Sequence, residues 1–346
     1  MSEPPTPHRE ARAGLTQNPA PSEHRGPENP SVSAAVAEQA SQPSPSSEPK
    51  AAQDSPSPTI HDLGYRRYHG PRTPHTRRYI AVLRLSLRQS MKWWLWLIVS
   101  FAVAQVAVFA AVMYFLGRAA AIPDAGLSAD AIKPDFLVLK LLTEWYGVIP
   151  LTFLVGLFAG GPAIADDART GGFQFYFSRP VSKEHYLLGK LLAVCGLTCL
   201  ISSGPVVLLC LVRVAMVPPN LIAATLLLLA RGVLVGLIVG ITLAVPVVAL
   251  SSLSSSRGIV QGGWAAVFLL SWVVGRIVAS LTSSPWPALI SLPTDLHVVA
   301  AAIFGERLPD SVPVWSAALF LGALIAASLV LLRARLRSAE TIEVSS

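Results

Sequence analysis

The sequence predicts an all-α integral membrane protein with about six transmembrane helices, and three observations carry that expectation. Hydrophobic residues fill 52% of the 346 positions and charged residues only 14%, with mean hydropathy +0.53, which is not the balance of a soluble domain. Apolar runs long enough for a bilayer core of roughly 30 Å recur about six times along the chain. Basic residues flank these runs unevenly. Arg66, Arg67, Arg72, Arg77, Arg78, Arg84, Arg88, Lys92, Arg169, Arg179, Lys183, Arg257, Arg333, Arg335 and Arg337 fall on one side, and Arg118, Lys133, Arg213 and Arg307 on the other. The positive-inside rule then predicts that both termini lie in the cytoplasm. The same asymmetry accounts for the net charge of +7 without nucleic acid as a partner.

Residues 1–60 are rich in Pro, Ser, Ala and Glu, with no aromatic residue and no apolar run. They cannot bury enough surface to offset the entropy of ordering, so a disordered cytoplasmic tail is expected. No basic start followed by an apolar core is visible, so no signal peptide is expected. Residues 61–91 form a basic interface segment: at helical spacing Ile80, Leu83 and Leu87 share one face, and Arg77, Arg84 and Arg88 another. The plain reading is a helix lying on an anionic lipid surface, each nearby arginine contributing about 1 kcal/mol.

Residues 92–334 are expected to form the six-helix membrane domain. The first span runs from about Trp93 to Leu116, with Trp93, Trp94 and Trp96 as an interfacial belt. The second runs from Phe136 to Ala165 and carries Lys140 and Glu144 at i, i+4, where they can pair. A carboxylate inside a membrane run is a functional candidate by default, so Glu144 is a candidate pathway residue. A snorkelled interfacial pair is the simpler alternative. The third span runs from Lys183 to Val212, with Ser182 as N-cap. It contains Cys195, Cys199 and Cys210; the first two stand one turn apart, a spacing open to a soft metal such as copper. With no His or carboxylate beside them, small packing residues are the preferred reading.

The fourth span, from Leu221 to Leu250, holds Arg231 inside its apolar run. A cation there needs a partner, either a structural salt bridge or an anionic headgroup or substrate. Ser251 to Arg257 is an inner turn, and the fifth span runs from Ile259 to Leu281. Residues 282–313 are interrupted by Pro285, Pro287 and Pro293; they suit an irregular external element with a short helix over Leu296–Phe304. The last span runs from Val314 to Leu332, followed by a cytoplasmic tail over 335–346.

Residues 164–182, between the second and third spans, interrupt the apolar sequence with polar and aromatic residues. Asp166 and Asp167 suit a helix start, where the dipole favours negative charge. Phe173, Phe175, Tyr176 and Phe177 suit a groove on a partner, and Pro180 turns the chain back. A loop resting on lipid is the alternative, and the alternation of Phe173, Phe175 and Phe177 would also suit a strand. No phosphate-cradling loop, catalytic triad or metal-ligand cluster is visible; Gly189-Lys190 lacks the earlier glycine of a Walker sequence. The chain is therefore expected to have no catalytic activity of its own.

Asp167 stands four residues before Gly171, and Ser178-Arg179-Pro180-Val181-Ser182 and Gly189-Lys190 follow. This pattern resembles the cytoplasmic segment of exporter-type ABC transporter permeases of the "ABC type 2" membrane family, and is most like those named for multicopper enzyme maturation. The serine-rich turn from Leu250 to Gly258 is similar to the family's turn at that place. Asp167 stands where glutamate is usual, Gly172 where threonine is usual, and aromatics where leucines are usual. The resemblance implies a permease in the inner (plasma) membrane that pairs with a second permease copy, identical or similar. It implies that ATP and magnesium are bound by a separate ATP-binding subunit, so that this chain carries no cofactor. The residues implied to couple to that subunit are Asp166, Asp167, Arg169, Gly171, Gly172, Phe173, Phe175, Phe177, Arg179 and Pro180, with Arg77, Arg84 and Arg88 on the interface helix. Two rival readings are a membrane-anchored scaffold acting through its disordered tail, and a membrane-embedded enzyme using Glu144, Arg231 or His297.

Overall fold

The computed structural model describes residues 78–119, 133–172, 182–282, 286, 290–306 and 313–343, with side chains described as far as 335. Regular structure among them is entirely helical. Six segments are long and apolar enough to cross a membrane: Trp93–Ala119, Pro134–Arg169, Lys183–Met216, Pro219–Ser251, Arg257–Thr282 and Val314–Arg335. The chain is an all-α, multi-pass membrane protein. Before the first span stands α1 (Tyr79–Ser90), and α2 (Trp93–Ala119) is that span.

The second span is not the single run expected from its composition. It is broken into α3 (Pro134–Thr143), α4 (Val148–Val155), a π-helical turn (Gly156–Gly160) and α5 (Pro162–Arg169). The first break lies at Gly147, where a Cβ would come 2.1 Å from the Leu141 carbonyl oxygen, an approach only glycine allows. Backbone freed by a break inside apolar surroundings must find a partner. Gln105 of α2 supplies it, donating from Nε2 to the carbonyls of Tyr146 (2.7 Å) and Gly147 (2.9 Å). The second irregularity follows from Gly156, Gly160 and Gly161, which weaken the α-helical preference just before Pro162.

The third span, α6 (Lys183–Met216), is continuous through Pro205. Its 34 residues amount to about 50 Å, well beyond the roughly 30 Å core, so the helix projects from the membrane. Ser182 caps it as expected, accepting from the His185 backbone N–H at 3.3 Å. The fourth span is α7 (Ile222–Ser251), entered through a short 3-10 turn (Pro219–Leu221), and the fifth is α8 (Arg257–Thr282). Within 282–313 the short helix α9 (Leu292–Phe304) begins four residues earlier than expected, capped by the Ser291 hydroxyl. The last helix, α10 (Val314–Glu343), carries on through the first part of the expected tail. No glycine or proline after Leu332 stops it.

The second, third and fourth spans are mostly buried within the chain, whereas the first, fifth and sixth present most of their surface outward. The closest helix pair is α6 with α7. Gly232, Gly236 and Gly240, spaced by four on α7, lie against Val206, Ser203 and Cys199 of α6, where added Cβ atoms would come within 2.4, 2.5 and 2.7 Å. This is the small-residue ridge that lets helices approach inside a membrane, where no hydrophobic force draws them together. The Ser202 hydroxyl seals it by donating to the Gly236 carbonyl at 2.6 Å. Cys199 serves here as a small packing residue.

Helix α9, about 20 Å long, is too short to cross a membrane. It packs into the main core, with Leu292, Leu296 and Phe304 in one cluster with Leu141 and Leu142 of α3. Asp295 is fully buried, and neither carboxylate oxygen has a hydrogen-bond partner. Burial pushes its carboxyl up to about 8. A raised folded-state value means that the folded protein holds this proton more tightly than the unfolded chain does. Its contribution to stability is therefore full below about pH 4 and is lost as pH rises to about 8. Asp295→Asn removes that dependence, so its advantage in thermal melting over the parent is expected to be larger at pH 8 than at pH 5.

Candidate coupling site

One end of the bundle gathers α1, the start of α2, α5, the projecting start of α6, the turn between α7 and α8, and the last turns of the sixth span. Exposed Arg84, Arg88, Lys92, Arg169, Arg257 and Arg333 make this the basic end. Helix α5 is its centre, and three spans hold it.

The two neighbouring aspartates do different work. Asp167 turns inward and is buried, with its Oδ2 accepting from Lys190 Nζ at 2.9 Å and Tyr186 Oη at 2.6 Å. Both partners lie on α6, Lys190 is only 3% exposed, and its ammonium also approaches the Tyr186 ring at 5.8 Å. Such a cluster survives burial because charge and hydrogen bonds are both satisfied. Asp166 turns outward and receives the Arg257 fork from the start of α8, with Nε to Oδ1 at 3.0 Å and Nη2 to Oδ2 at 2.7 Å. Arg169, one turn along α5, approaches the same carboxylate at 4.0 Å. This outer network is partly exposed and adds geometry more than energy.

The expectation that the aspartates open a helix is corrected. They stand in the second half of α5, which ends at Arg169; Thr170 caps it and Gly171 turns out of it at φ +69°, the left-handed conformation that glycine takes at no steric cost. The helix begins at Pro162 because the π-turn and the missing proline N–H interrupt the backbone ladder there. Its first N–H groups would be orphans. Ser251, at the end of α7, caps them across the bundle: its Oγ accepts from Ile164 N (2.9 Å) and Ala165 N (3.0 Å) and donates to Gly161 O (2.7 Å). Gln261 of α8 donates to the Leu157 carbonyl at 3.2 Å. A Cβ added at Gly172 would stand 3.4 Å from the Asp167 Cα and Cβ, an ordinary contact, whereas Phe173, Phe175, Phe177, Arg179 and Pro180 lie outside the described residues.

Helix α1 is also rotated from expectation. Its buried stripe is Val82 and Ser86, flanked by Leu83 and Leu87, while Ile80 is half-exposed. The cause is Gly189 of α6, where a Cβ would come 2.7 Å from Val82 Cβ and 2.9 Å from the Tyr79 carbonyl. The helix docks on the third span through that gap. Arg84 and Arg88 remain on the exposed side, and Arg77 lies outside the described residues.

A comparison with protein-family models finds no match, and a comparison with curated proteins finds none.

The candidate pathway residues are both paired. Arg231 approaches Asp135 of α3 at 3.5 Å, the structural alternative at that position. Glu144 closes α3 and forms the i, i+4 ion pair with Lys140, beside the Thr143–His297 hydrogen bond of 2.9 Å. Sequence reasoning did not single out Tyr186, Ser251 or Gln261 as functional residues. Lys190 entered only as part of a motif, and Arg257 only as an inner-turn residue in the charge asymmetry. A buried lysine flanked by an apolar run was the available signal, since such a cation demands an acidic partner.

Proposed function

We propose that this protein is the membrane-spanning subunit of an ATP-driven ABC exporter in the plasma membrane, acting with a second permease copy and a separate ATP-binding subunit. The observation that carries the reading is the tethering of α5 to α6, α7 and α8 through Lys190 and Tyr186, Ser251, and Arg257. A push on a surface segment does work on a transport path only if it is rigidly joined to the spans. Here α5, which opens that segment, is so joined, and the positive-inside rule turns this end toward the side that holds ATP. Closure of the ATP-binding subunits would displace residues 164–182 and α1, and α6 would move with them. ATP biases the permease only through its different affinity for the two states.

The test is extraction of the full chain in mild detergent, identification of co-purifying proteins by mass spectrometry, and assay of ATP hydrolysis with and without Phe175→Asp. A charge replacing an aromatic anchor is expected to abolish association, since such anchors supply most of the energy of a contact. Recovery of a Walker-motif subunit that is lost with its activity in the variant supports the reading. Absence of any ATPase, or unchanged association in the variant, overturns it.

A further inference from the structure

Between α1, the start of α2, α5 and α6 lies a cavity of about 380 Å³ at the basic end. That is the range of small-molecule sites. Its rim is polar, with Ser86, Gln89 and Ser90 on α1 and Lys92 at the entry to α2; its walls include Trp94, Phe158, Ala163 and Val194. Two features of the rim point to a ligand. The Ser86 hydroxyl is buried, with 6% of the residue exposed, and its Oγ has no hydrogen-bond partner. Buried hydroxyls are nearly always satisfied, so an orphan one on a residue that lines a cavity marks a missing acceptor. The Lys92 ammonium has no ion-pair partner among the described residues. Of the other charges at the cavity, Lys190 and Asp167 neutralise each other, and Asp166 is held by Arg257. The vacant capacity is thus one cation and one hydroxyl donor, which together suit a phosphate ester.

The apolar wall and its depth select the source of that phosphate. Trp94 and Phe158 pack together with ring centroids 5.4 Å apart, and Trp93 and Trp96 beside them are 75% and 63% exposed. Tryptophans placed so mark the headgroup layer.

We propose that this cavity binds the headgroup of an anionic phospholipid from the leaflet at the basic end. Lys92 and the Ser86 hydroxyl hold the phosphate, and the glycerol end rests against Trp94 and Phe158. The bound lipid would brace α1 against α5. The inference needs only the geometry of the cavity and does not depend on the transport reading.

The test is native mass spectrometry of the delipidated full chain, titrated with phosphatidylglycerol, phosphatidylcholine or glycerol phosphate. One phosphatidylglycerol per chain is expected to survive at concentrations where the other two do not. Lys92→Gln is expected to weaken retention about fivefold, and Ser86→Ala about tenfold. Ser86→Ala should leave the lipid-free melting temperature equal or higher, because it removes an unsatisfied buried group, so its binding loss would not be a folding defect. Arg84→Gln, exposed on α1 and outside the cavity, is expected to change retention less than twofold. Equal weakening by Arg84→Gln and Lys92→Gln would mean diffuse surface attraction and overturn the site. Phosphatidylcholine bound as well as phosphatidylglycerol overturns the charge selection, and glycerol phosphate bound as tightly as the lipid overturns the lipid source.

Discussion

Lys190→Ala is expected to destabilise the folded protein by about 3–5 kcal/mol, because it leaves the Asp167 carboxylate buried without its cation. Tyr186 would still donate one hydrogen bond, which does not replace a charge at 2.9 Å. The double variant Asp167→Asn/Lys190→Met removes both charges at similar volume and is expected to regain most of the loss. Thermal or denaturant unfolding of Asp167→Asn, Lys190→Met and the double variant in detergent closes a double-mutant cycle, and a double loss far smaller than the sum of the single losses is the expected result. A loss in the double variant equal to the sum of the two single losses would show that Asp167 and Lys190 are uncoupled and that the pair does not hold α5 on α6. By contrast, Asp166→Asn disturbs a network that is partly exposed, and its expected cost is within about 1 kcal/mol.

The second large effect is expected at the crossing of α6 and α7. A Cβ on Gly236 would stand 2.9 Å from Ser203 Cα, a backbone atom that cannot rotate away. Gly236→Leu must push the helices apart, costing about 1–3 kcal/mol or more in overpacking, together with the Ser202 bond to the Gly236 carbonyl. Gly204→Ala is the control, because its Cβ meets nothing within 4 Å and alanine is the better helix former. Melting temperatures should fall steeply for the first and hold or rise for the second. The consequence reaches the basic end, since α6 and α7 carry Lys190 and Ser251. Separating them at the ridge should therefore also loosen α5, read as faster hydrogen exchange at the Ile164 and Ala165 amides.

Much of the architecture was legible in the chain because it follows from local chemistry. Apolar length sets the spans, Ser182 followed by an uninterrupted run sets the start of α6, and i, i+4 spacing sets the Lys140–Glu144 pair. The small-residue ridge Gly232, Gly236, Gly240 is also visible as a spacing, but nothing local says which helix fills it. The breaks in the second span were hidden for a related reason. Gly147 and Gly156 sit in an apolar run that hydropathy alone reads as continuous, and they become breaks only where Gln105 and Gln261 are at hand to take the freed carbonyls.

By itself, then, the sequence determined that this is a six-span helical membrane protein, with its positive charge gathered at one end and a polar, aromatic segment between the second and third spans. Only the tertiary structure decided that Asp167 faces Lys190 while Asp166 faces Arg257, that Ser251 caps a helix 86 residues away in the chain, and that α1 docks through Val82 on Gly189. The physical reason is that helix formation and membrane insertion depend on the side chains of one segment. The pairing of buried charges and orphan backbone groups depends instead on which segments meet, and that is settled by close packing among several spans at once.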